Sequence, residues 1–322
     1  MKDTFSSVAV IILNWNGYND TFECIKSLES LDYNNFHVFL VDNASTDDSY
    51  EKLMSDIESN TFQVNITCIQ SGANLGCAGG NNVAIKEAFE EGYDYYWMLN
   101  NDTIVDPKAL STLVEVIDGD PKIGIVGSKV YFAGTNLLWY AGGDVNPYTG
   151  NSWQFGYCEE DKGQYDEIKE VNFIAGCSML FRKKLIEENG LLEEDYFLMY
   201  EDTDWNVKAK KGGWKLVYTP HSIIHHKESS STKAEDLSPY YSYYLIRNGY
   251  LMAKRINPKF KWLAFINLFV RLAKFHIIFV YRSKTNRKIR SILLFEGVIH
   301  ALKQRTGQYI RGVSHARKRE YM

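Results

Sequence analysis

Three carboxylates, Glu201, Asp202 and Asp204, stand beside aromatic residues in the segment 195–205, which reads DYFLMYEDTDW. Aromatic neighbours lower the local dielectric constant and so raise the pKa of a carboxyl group towards that of a useful general base. Acidic residues also favour the first turn of a helix, where they face the positive end of the helix dipole. The segment is therefore a candidate for acid–base chemistry, with an acidic helix N-terminus as the alternative.

A second group of polar residues lies where short apolar runs end. Ligands of open α/β sheets bind outside the carboxyl ends of the strands. Four consecutive strand ends that carry carboxylates, amides or glycines therefore predict one crevice. These ends are NWNG at 14–17, DNASTD at 42–47, NLGCAGGNN at 74–82 and NND at 100–102.

Each strand end has a plain chemical use. The Asp42 carboxylate can accept a hydrogen bond from the N–H group of a nucleotide base. Gly76 and Gly79 let the backbone approach a ligand just before a helix N-terminus, where free N–H groups attract anions. Asp102 can hold a hard divalent cation against a pyrophosphate. Capped turns and tight helix–sheet packing are the alternatives for each segment alone, so the argument depends on all four lying at one edge.

The elements that must position these residues alternate along the first hundred residues. Short apolar runs are followed by longer stretches with apolar residues at helical spacing. Strands that alternate with helices predict βαβ units and a parallel sheet covered on both faces. The expected strands are 8–13, 36–41, 64–69 and 95–99, and the expected helices are 18–31, 48–57 and 79–91.

The rest of the chain divides into a mixed and a helical part. Strand-like pieces at 124–131, 178–181 and 216–218 are broken by Gly- and Asn-rich turns, which indicates a half grafted onto the same sheet. After residue 238 the chain is predicted to be helical and basic. The expected fold class is α/β, a Rossmann-like, mostly parallel sheet flanked by helices with a C-terminal helical, basic extension. The expected divisions are 1–237, with halves 1–120 and 121–237, and 238–322.

Composition favours a globular cytoplasmic protein. The chain has 322 residues, of which 45% are hydrophobic, enough for a large core. Its five cysteines include no CxxC pair, which indicates neither a zinc site nor a disulfide framework. The start of the chain has no basic leader or small-residue cleavage site, so we do not expect a signal peptide.

Charge is divided unevenly along the chain. The net charge is −4, yet the segment 254–322 holds 17 Lys and Arg residues against two acids. This segment can meet lipid or nucleic-acid phosphates, although no nucleic-acid-binding signature accompanies it and we expect no such partner. Four basic residues, Lys261, Arg271, Lys274 and His276, interrupt its apolar stretch 260–281, which argues against a transmembrane helix. An interfacial helix on anionic lipid and a helix packed on the catalytic domain or another subunit remain equal alternatives.

Two other enzyme classes fit the motifs less well. A dinucleotide-binding dehydrogenase needs G-x-G-x-x-G directly after the first strand, where this chain has NWNG at 14–17. A glycoside hydrolase would use paired acids but would leave the polar strand ends of 14–102 without a role.

Taken in order, the motifs closely resemble those of the family 2 glycosyltransferases with the GT-A fold, and within them the rhamnosyltransferase-like branch. The resemblance covers roughly residues 6–250. The motifs that carry it are ILNWNG at 12–17, VDNASTDDS at 41–49, NLGCAGGNN at 74–82, LNNDT at 99–103, IAGCSMLFRKK at 174–184, GLLEEDYFLMYEDTDW at 190–205 and IIHHKESSST at 223–232.

The resemblance implies roles for individual residues. It makes 1–120 the nucleotide-binding half and 121–237 the acceptor-binding half, with Asp202 as general base. Asp102 and His226 would bind the metal, although the motif around Asp102 holds a single carboxylate and a swap of His226 with His225 stays open. Donor binding would fall to Asn14, Asn16, Asp42, Asn43, Asn74, Gly76, Gly79, Asn81 and Asn101, and acceptor binding to Glu201, Trp205 and Gly176.

The implied reaction is an inverting, Mg²⁺- or Mn²⁺-assisted transfer from a nucleotide-sugar to a hydroxyl of a glycan or lipid-linked acceptor, in cell-surface polysaccharide synthesis. The branch favours dTDP-rhamnose as donor, with a UDP-hexose or UDP-galactofuranose as alternatives. An inactive nucleotide-sugar-binding or membrane-binding module is the alternative of another class. The expected location is the cytoplasm, peripheral on the inner face of the membrane, and an oligomer is left open.

Overall fold

The computed structural model describes residues 6–227, 238–282 and 285–310. The expected domain boundary at residue 237, the end of the last motif at 228–232 and the basic segment 311–322 lie outside the described residues.

The first half of the chain forms the predicted alternation of strands and helices. Its elements are β1 (Val8–Asn14), α1 (Tyr18–Leu28), β2 (Phe36–Asp42), α2 (Ser49–Glu58), β3 (Ile66–Gln70), α3 (Gly76–Glu91) and β4 (Tyr95–Asn100). Strand β1 pairs in parallel with β2 and β4, and β2 pairs in parallel with β3. The four polar strand ends therefore lie at one edge of the sheet, as the sequence predicts.

The second half continues the same sheet, as expected for a grafted half. Its elements are β5 (Thr103–Val105), α4 (Ala109–Gly119), β6 (Ile123–Phe132), β7 (Leu138–Tyr140), β8 (Gly143–Asn146), β9 (Asn151–Gln154), β10 (Lys169–Val171), β11 (Ser178–Arg182), α5 (Lys183–Asn189), α6 (Glu201–Lys211) and β12 (Lys215–His226). The main sheet runs in the order β10-β12-β6-β11-β4-β1-β2-β3. Strand β11 lies antiparallel between β4 and β6, and so joins the two halves.

Two elements differ from their predicted bounds. Helix α3 begins at Gly76 rather than at residue 79, so its glycines lie inside the first turns and not in a loop. Strand β12 extends to His226, far beyond the predicted 216–218. Its pairing with β6 is irregular between Thr219 and Ile223, around Pro220, because proline has no N–H group to donate to the ladder. The same proline weakens the strand pattern in the sequence, so the prediction ended too early.

The C-terminal region is helical, as predicted, and packs on the catalytic half. It contains α7 (Pro239–Ile256), α8 (Lys261–Phe275), a π-helical turn (His276–Tyr281) and α9 (Arg287–Leu302). A second apolar core joins these helices to the segment that precedes and begins α6. Its members include Tyr196, Tyr200, Ile246, Leu268 and Leu294.

Helix α8 belongs to a stretch whose hydropathy is higher than its polar residues suggest. Pro258–Tyr281, 24 residues long, contains a window of mean hydropathy 1.8, so by length and composition alone it could cross a membrane. The sequence argument against a spanning helix is therefore not supported. Arg271, one of the residues on which that argument was based, is buried against the protein, whereas most large apolar side chains of the helix are exposed.

Candidate active site

Asn14, Asp42 and Gln70 lie side by side where β1, β2 and β3 end. Oδ2 of Asp42 accepts hydrogen bonds from Asn14 Nδ2 at 2.7 Å and from the Ser45 hydroxyl at 2.6 Å. Oδ1 accepts from Gln70 Nε2 and the Ser45 amide, each at 2.9 Å. The carboxylate is fully buried and its acceptor positions are occupied. The predicted contact of Asp42 with a base stays a prediction, and it requires one of these donors to move.

Three predicted donor-binding amides tie the strand ends together. Oδ1 of Asn16 accepts from the Thr46 amide at 2.7 Å, which links the ends of β1 and β2. Oδ1 of Asn43 accepts from the Leu75 amide at 3.0 Å, and its Nδ2 lies 3.3 Å from Oδ1 of Asn74. These contacts shape the crevice, and any contact with a ligand remains a prediction.

The glycines at the start of α3 serve packing in this structure. Gly76 has φ +75°, and a Cβ there would lie 2.2 Å from the carbonyl oxygen of Phe197. The amide of Cys77 donates to the same oxygen at 2.7 Å, and the Gly76 amide donates to Asn74 Oδ1 at 3.0 Å. The expectation of free N–H groups for an anion is thus not met at these two residues, because the segment around residue 197 covers the helix N-terminus.

Two further predicted donor contacts have partners within the protein. Gly79 approaches Leu75 so closely that a Cβ would lie 2.6 Å from the leucine Cβ. Asn81 is buried, and its Nδ2 donates to the Cys77 carbonyl at 2.9 Å. Asn101, in contrast, is half-buried after β4 and donates to the Thr21 hydroxyl at 2.9 Å. Of these three, only Asn101 has partial exposure at the strand ends.

The predicted metal ligands Asp102 and His226 face each other. Nε2 of His226 lies 3.3 Å from Oδ1 of Asp102, and the imidazole stacks on Trp139 with ring centroids 4.7 Å apart. His225 points to the opposite face of β12, where it meets Asp106 at 3.3 Å. The alternation of side chains along a strand therefore places His226, and not His225, beside Asp102.

The Asp102–His226 pair fits a divalent cation in its chemistry but supplies only two protein ligands. Oδ1 of Asp102 is buried and accepts no hydrogen bond from the described residues, which suits an oxygen that awaits a cation. Among the described residues, no group of three or more His, Cys, Asp or Glu is placed to hold a metal. A cation here would depend on the donor's phosphates for its other ligands.

Glu201 and Asp202 begin helix α6 in different environments. Glu201 is buried, its Oε2 has no hydrogen-bond partner in the described residues, and burial, followed by the nearby charge of Asp202, raises its pKa to about 7. Asp202 is half-buried, and burial raises its pKa as well. Its Oδ2 accepts from the Gly176 amide at 3.1 Å, and its Oδ1 from the hydroxyl of Thr203 at 3.1 Å. Asp202 is therefore an oriented carboxylate with access to solvent.

The acid pair and the metal pair lie around one point of the sheet. Cys177 is buried where β4 and β11 meet, and its carbonyl accepts from the Asn100 amide at 3.1 Å. Burial and then the charges of Asp102 and Asp202 raise the pKa of its thiol. Gly176, the predicted acceptor residue, binds Asp202 through its amide. The structure thus brings Asp102, Asp202 and Gly176 together from three separate motifs.

Trp205 lies in the core of this structure, and the acceptor contact predicted for it stays a prediction. It is 2% exposed, its Nε1 donates to the Gly190 carbonyl at 3.0 Å, and its ring packs edge-on against Phe181 at 4.7 Å. The inner face of α6 must cover the sheet, and Trp205 lies on that face. The motif therefore mixes core and site residues.

Asp204 is likewise structural. It is fully buried, and its carboxylate meets Lys208 at 2.8 Å and accepts from the Tyr196 hydroxyl at 3.1 Å. Of the three carboxylates in the motif, only Asp202 has partial access to solvent.

Several residues at the site escaped sequence reasoning. Gln70 and Ser45 complete the bonding of Asp42, Cys77 lies against Glu201, and Trp139 stacks on His226. Gln70 was detectable in principle, because it ends the third parallel strand beside two residues already selected. Cys77 and Trp139 gave no local signal, since their partners are remote in sequence.

Comparison with known proteins now gives the class. The sequence profile described as Glycosyl transferase family 2 matches residues 9–190, which is more than half of the chain. The chain belongs to this family. It is 23% identical over 312 residues to the low-salt glycan biosynthesis hexosyltransferase Agl10 of Haloferax volcanii, covering 94% of this chain and 92% of that protein.

Other curated relatives are matched over only part of their length. Poly-beta-1,6-N-acetyl-D-glucosamine synthase of Staphylococcus aureus is 23% identical over 221 residues, which is 68% of this chain and 49% of the synthase. An uncharacterized protein, y4gI of Sinorhizobium fredii, is 26% identical over 211 residues, 63% of this chain and 22% of its own length. The chain therefore spans half or less of these two relatives.

Solved structures share the fold. The mannosyltransferase PcManGT from Pyrobaculum calidifontis, in complex with GDP-Man and Mn²⁺, superposes with a TM-score of 0.58 at 14% identity, covering 94% of this chain and 88% of that one. GalNAc-T7 with UDP, GalNAc and Mn²⁺ has a TM-score of 0.59 at 14% identity, covering 83% of this chain and 55% of that one. The predicted GT-A fold is confirmed.

Proposed function

We propose that this protein transfers a sugar from a nucleoside-diphosphate donor to a hydroxyl group of a glycan or lipid-linked glycan, with inversion at the anomeric carbon. The observation that carries the proposal is the convergence of a half-buried, oriented carboxylate, Asp202, with the Asp102–His226 pair around Cys177. Membership of glycosyl transferase family 2 supports it.

In the proposed reaction Asp202 is the general base. The acceptor oxygen attacks the anomeric carbon as Asp202 takes its proton, and the bond to the nucleoside diphosphate breaks. The Gly176 amide and the Thr203 hydroxyl hold the carboxylate in place before the acceptor arrives. Preorganisation of this kind removes the need to reorient the base during the reaction.

Mg²⁺ or Mn²⁺ would be held by Asp102 and His226. Such an ion neutralises the charge that grows on the leaving diphosphate. Oδ1 of Asp102 accepts no hydrogen bond from the described residues, which supports this assignment, and two structural neighbours are complexes with Mn²⁺.

The identity of the donor sugar is the most specific part of the proposal. The resemblance to the rhamnosyltransferase-like branch favours dTDP-rhamnose. The relatives favour the alternative of a hexose-type donor, because one is a hexosyltransferase and another a poly-N-acetylglucosamine synthase. A catalytically inactive nucleotide-sugar-binding module is the remaining alternative, opposed by the presence of Asp102, Asp202 and His226 in one place.

We also propose that the protein acts at the cytoplasmic face of an anionic membrane. In the described residues, most exposed large apolar side chains lie between Phe260 and Ile310, and basic residues are interspersed among them. An apolar face flanked by positive charge is typical of helices that lie in a membrane interface.

A donor screen tests the function directly. Binding of dTDP-rhamnose, UDP-glucose, UDP-N-acetylglucosamine, UDP-galactofuranose, GDP-mannose and NAD would be measured by calorimetry with and without Mn²⁺. A metal-dependent response to one nucleotide-sugar, followed by transfer from it, would support the proposal and name the donor. Binding of NAD alone would contradict it.

A further inference from the structure

The chain enters the acid pair through a strained turn. Phe197, Met199 and Tyr200 have φ values of +64°, +66° and +78°, in a region that residues with a side chain seldom adopt. The next residue is Glu201, the first of helix α6. Such backbone persists only where surrounding contacts hold it, so the position of the acid pair depends on what holds this turn.

Asn248 of helix α7 is the central contact of the turn. Its Nδ2 donates to the carbonyl oxygens of Tyr196 at 3.0 Å, Leu198 at 2.8 Å and Met199 at 2.9 Å. Asn248 is fully buried, so water could replace its hydrogen bonds to the turn only if the structure opened. One amide nitrogen from the C-terminal region, with two hydrogens, thus lies within hydrogen-bond distance of three carbonyl groups of the turn.

Two buried arginines support the same turn. Arg247, adjacent to Asn248, donates to the Tyr196 carbonyl at 2.9 Å. Arg271 of helix α8 donates to the Tyr200 hydroxyl at 2.7 Å and to the Gly150 carbonyl at 2.9 Å. Polar contacts from both α7 and α8 therefore converge on the five residues that precede the acids.

The opposite side of the turn closes over Cys77. The Phe197 carbonyl accepts from the Cys77 amide, and the Cys77 thiol lies against Glu201. Burial raises the pKa of this thiol well above its ordinary value. Cys77 is half-buried, and any relaxation of the turn should expose it further, which makes its reactivity a reporter of the turn that does not depend on catalysis.

We infer that Asn248 is a positioning residue, through which the C-terminal helices hold the Glu201–Asp202 pair in its reactive place. The inference rests on the proposed function for its catalytic consequence. It gives the C-terminal region a part in the active site, in addition to any membrane contact.

The test compares Asn248→Ala and Asn248→Ser with Asn267→Ala in the full chain. Asn267 is the control, because it is a C-terminal-region asparagine whose Nδ2 also donates to a loop carbonyl, that of Thr149 at 2.7 Å, but to no carbonyl of the turn. Labelling of Cys77 by a thiol reagent is followed by mass spectrometry, and kcat, donor KM and the unfolding temperature are measured with the donor identified by the screen.

We expect Asn248→Ala to speed labelling of Cys77 about tenfold or more, since the Leu198 and Met199 carbonyls lose the Asn248 donor while the Tyr196 carbonyl keeps that of Arg247. We expect kcat to fall about 10- to 100-fold and donor KM to change by a smaller factor, because the acids follow the turn directly while the start of α3 meets it only at Phe197. Asn248→Ser, which keeps one donor, should lie between Ala and the wild type in both measurements. Asn267→Ala should leave both unchanged.

Unchanged Cys77 labelling in both Asn248 variants would overturn the inference. The inference would also be overturned if the Asn248 variants and Asn267→Ala lost the same kcat at the same loss of unfolding temperature. That result would mark a purely structural role. If Asn248→Ala does not fold, the serine variant decides. Absence of any transfer by the wild type would contradict the proposed function instead, and labelling would still report whether Asn248 holds the turn.

Discussion

Nε2 of His226 lies 3.3 Å from Oδ1 of Asp102, although 124 positions separate the two residues along the chain. The histidine reaches this place because β12 extends eight residues beyond the end that its apolar pattern predicts, through an irregular pairing around Pro220. The metal site that we propose therefore depends on the late strand as much as on the motif that follows β4.

This relationship predicts the effect of removing the histidine. His226→Ala should weaken Mn²⁺-dependent binding of the donor about tenfold or more, which corresponds to ~1.4 kcal/mol. The adjacent His225→Ala is the matched control and should leave binding unchanged, since that imidazole faces the other side of the strand. Calorimetry with and without Mn²⁺ measures both, and equal losses in the two variants would contradict the assignment of His226.

Asp202→Asn should abolish most turnover and spare donor binding. Loss of a general base typically lowers kcat about 10²–10⁴-fold. Among the described residues the Asp202 carboxylate accepts hydrogen bonds from Gly176 and Thr203, and not from the strand ends that we assign to the nucleotide. Asp195→Asn removes the same charge from a half-exposed ion pair with Arg255 and should retain kcat. A collapse of donor affinity in Asp202→Asn would show that its role is in binding.

The raised pKa of the buried Glu201 carboxyl group predicts that the stability of the fold decreases with rising pH. Its pKa is about 7 in the folded protein against an ordinary 4.5, so the stability of the fold decreases as pH rises from about 4.5 to about 7 and levels off above that. The groups that face it are the Asp202 carboxylate and the Cys77 thiol. Glu201→Gln should therefore raise the free energy of unfolding at pH 8 by up to about 3 kcal/mol, with the difference vanishing below about pH 4.5. Urea unfolding at both pH values measures it, and an equal effect at both would contradict the buried, ionisable glutamate.

Trp205→Ala should destabilise the fold rather than alter acceptor recognition. Removing a buried tryptophan typically costs about 3–5 kcal/mol, because it leaves a cavity in the core. Trp205→Phe keeps much of the volume and should recover most of the stability, although it loses the hydrogen bond to Gly190. Thermal unfolding distinguishes this outcome from a selective rise in acceptor KM in a stable protein, which would support the predicted acceptor contact.

The exposed apolar side chains of helix α8 predict that the protein binds anionic vesicles. Replacing three of its exposed apolar residues, Trp262, Ile266 and Val270, with serine should weaken binding to phosphatidylserine vesicles about tenfold or more, because apolar burial and charge act together. Serine at Trp153 and Ile168, which are exposed on the catalytic half, is the control and should have no effect. Salt should weaken the wild-type interaction. Co-sedimentation measures each variant, and equal binding by all of them would refute the membrane surface.

The sequence alone determined the alternation of β1 to β4 with α1 to α3, and hence the shared edge of Asn14, Asp42 and Asp102. These are local properties: apolar periodicity selects strand or helix within a few residues, and parallel strands must end on the same side. Sequence also indicated a helical C-terminal region. It misplaced the start of α3 and the end of β12, because glycine and proline weaken local signals where tertiary contacts prevail.

Only the tertiary structure decided which polar residues are available for chemistry. Asp202 and Asp204 are two positions apart, yet Asp202 is only half-buried and Asp204 is fully buried in an ion pair with Lys208. Gly76 packs against the carbonyl oxygen of Phe197, 121 positions later in the chain. Asn248 donates hydrogen bonds to the turn that includes Tyr196, about fifty positions earlier. These outcomes depend on contacts between distant segments, and no local pattern of residue types encodes which distant surface will cover a given side chain. That physical limit is why the sequence predicted the crevice but not the helices that hold its acids in place.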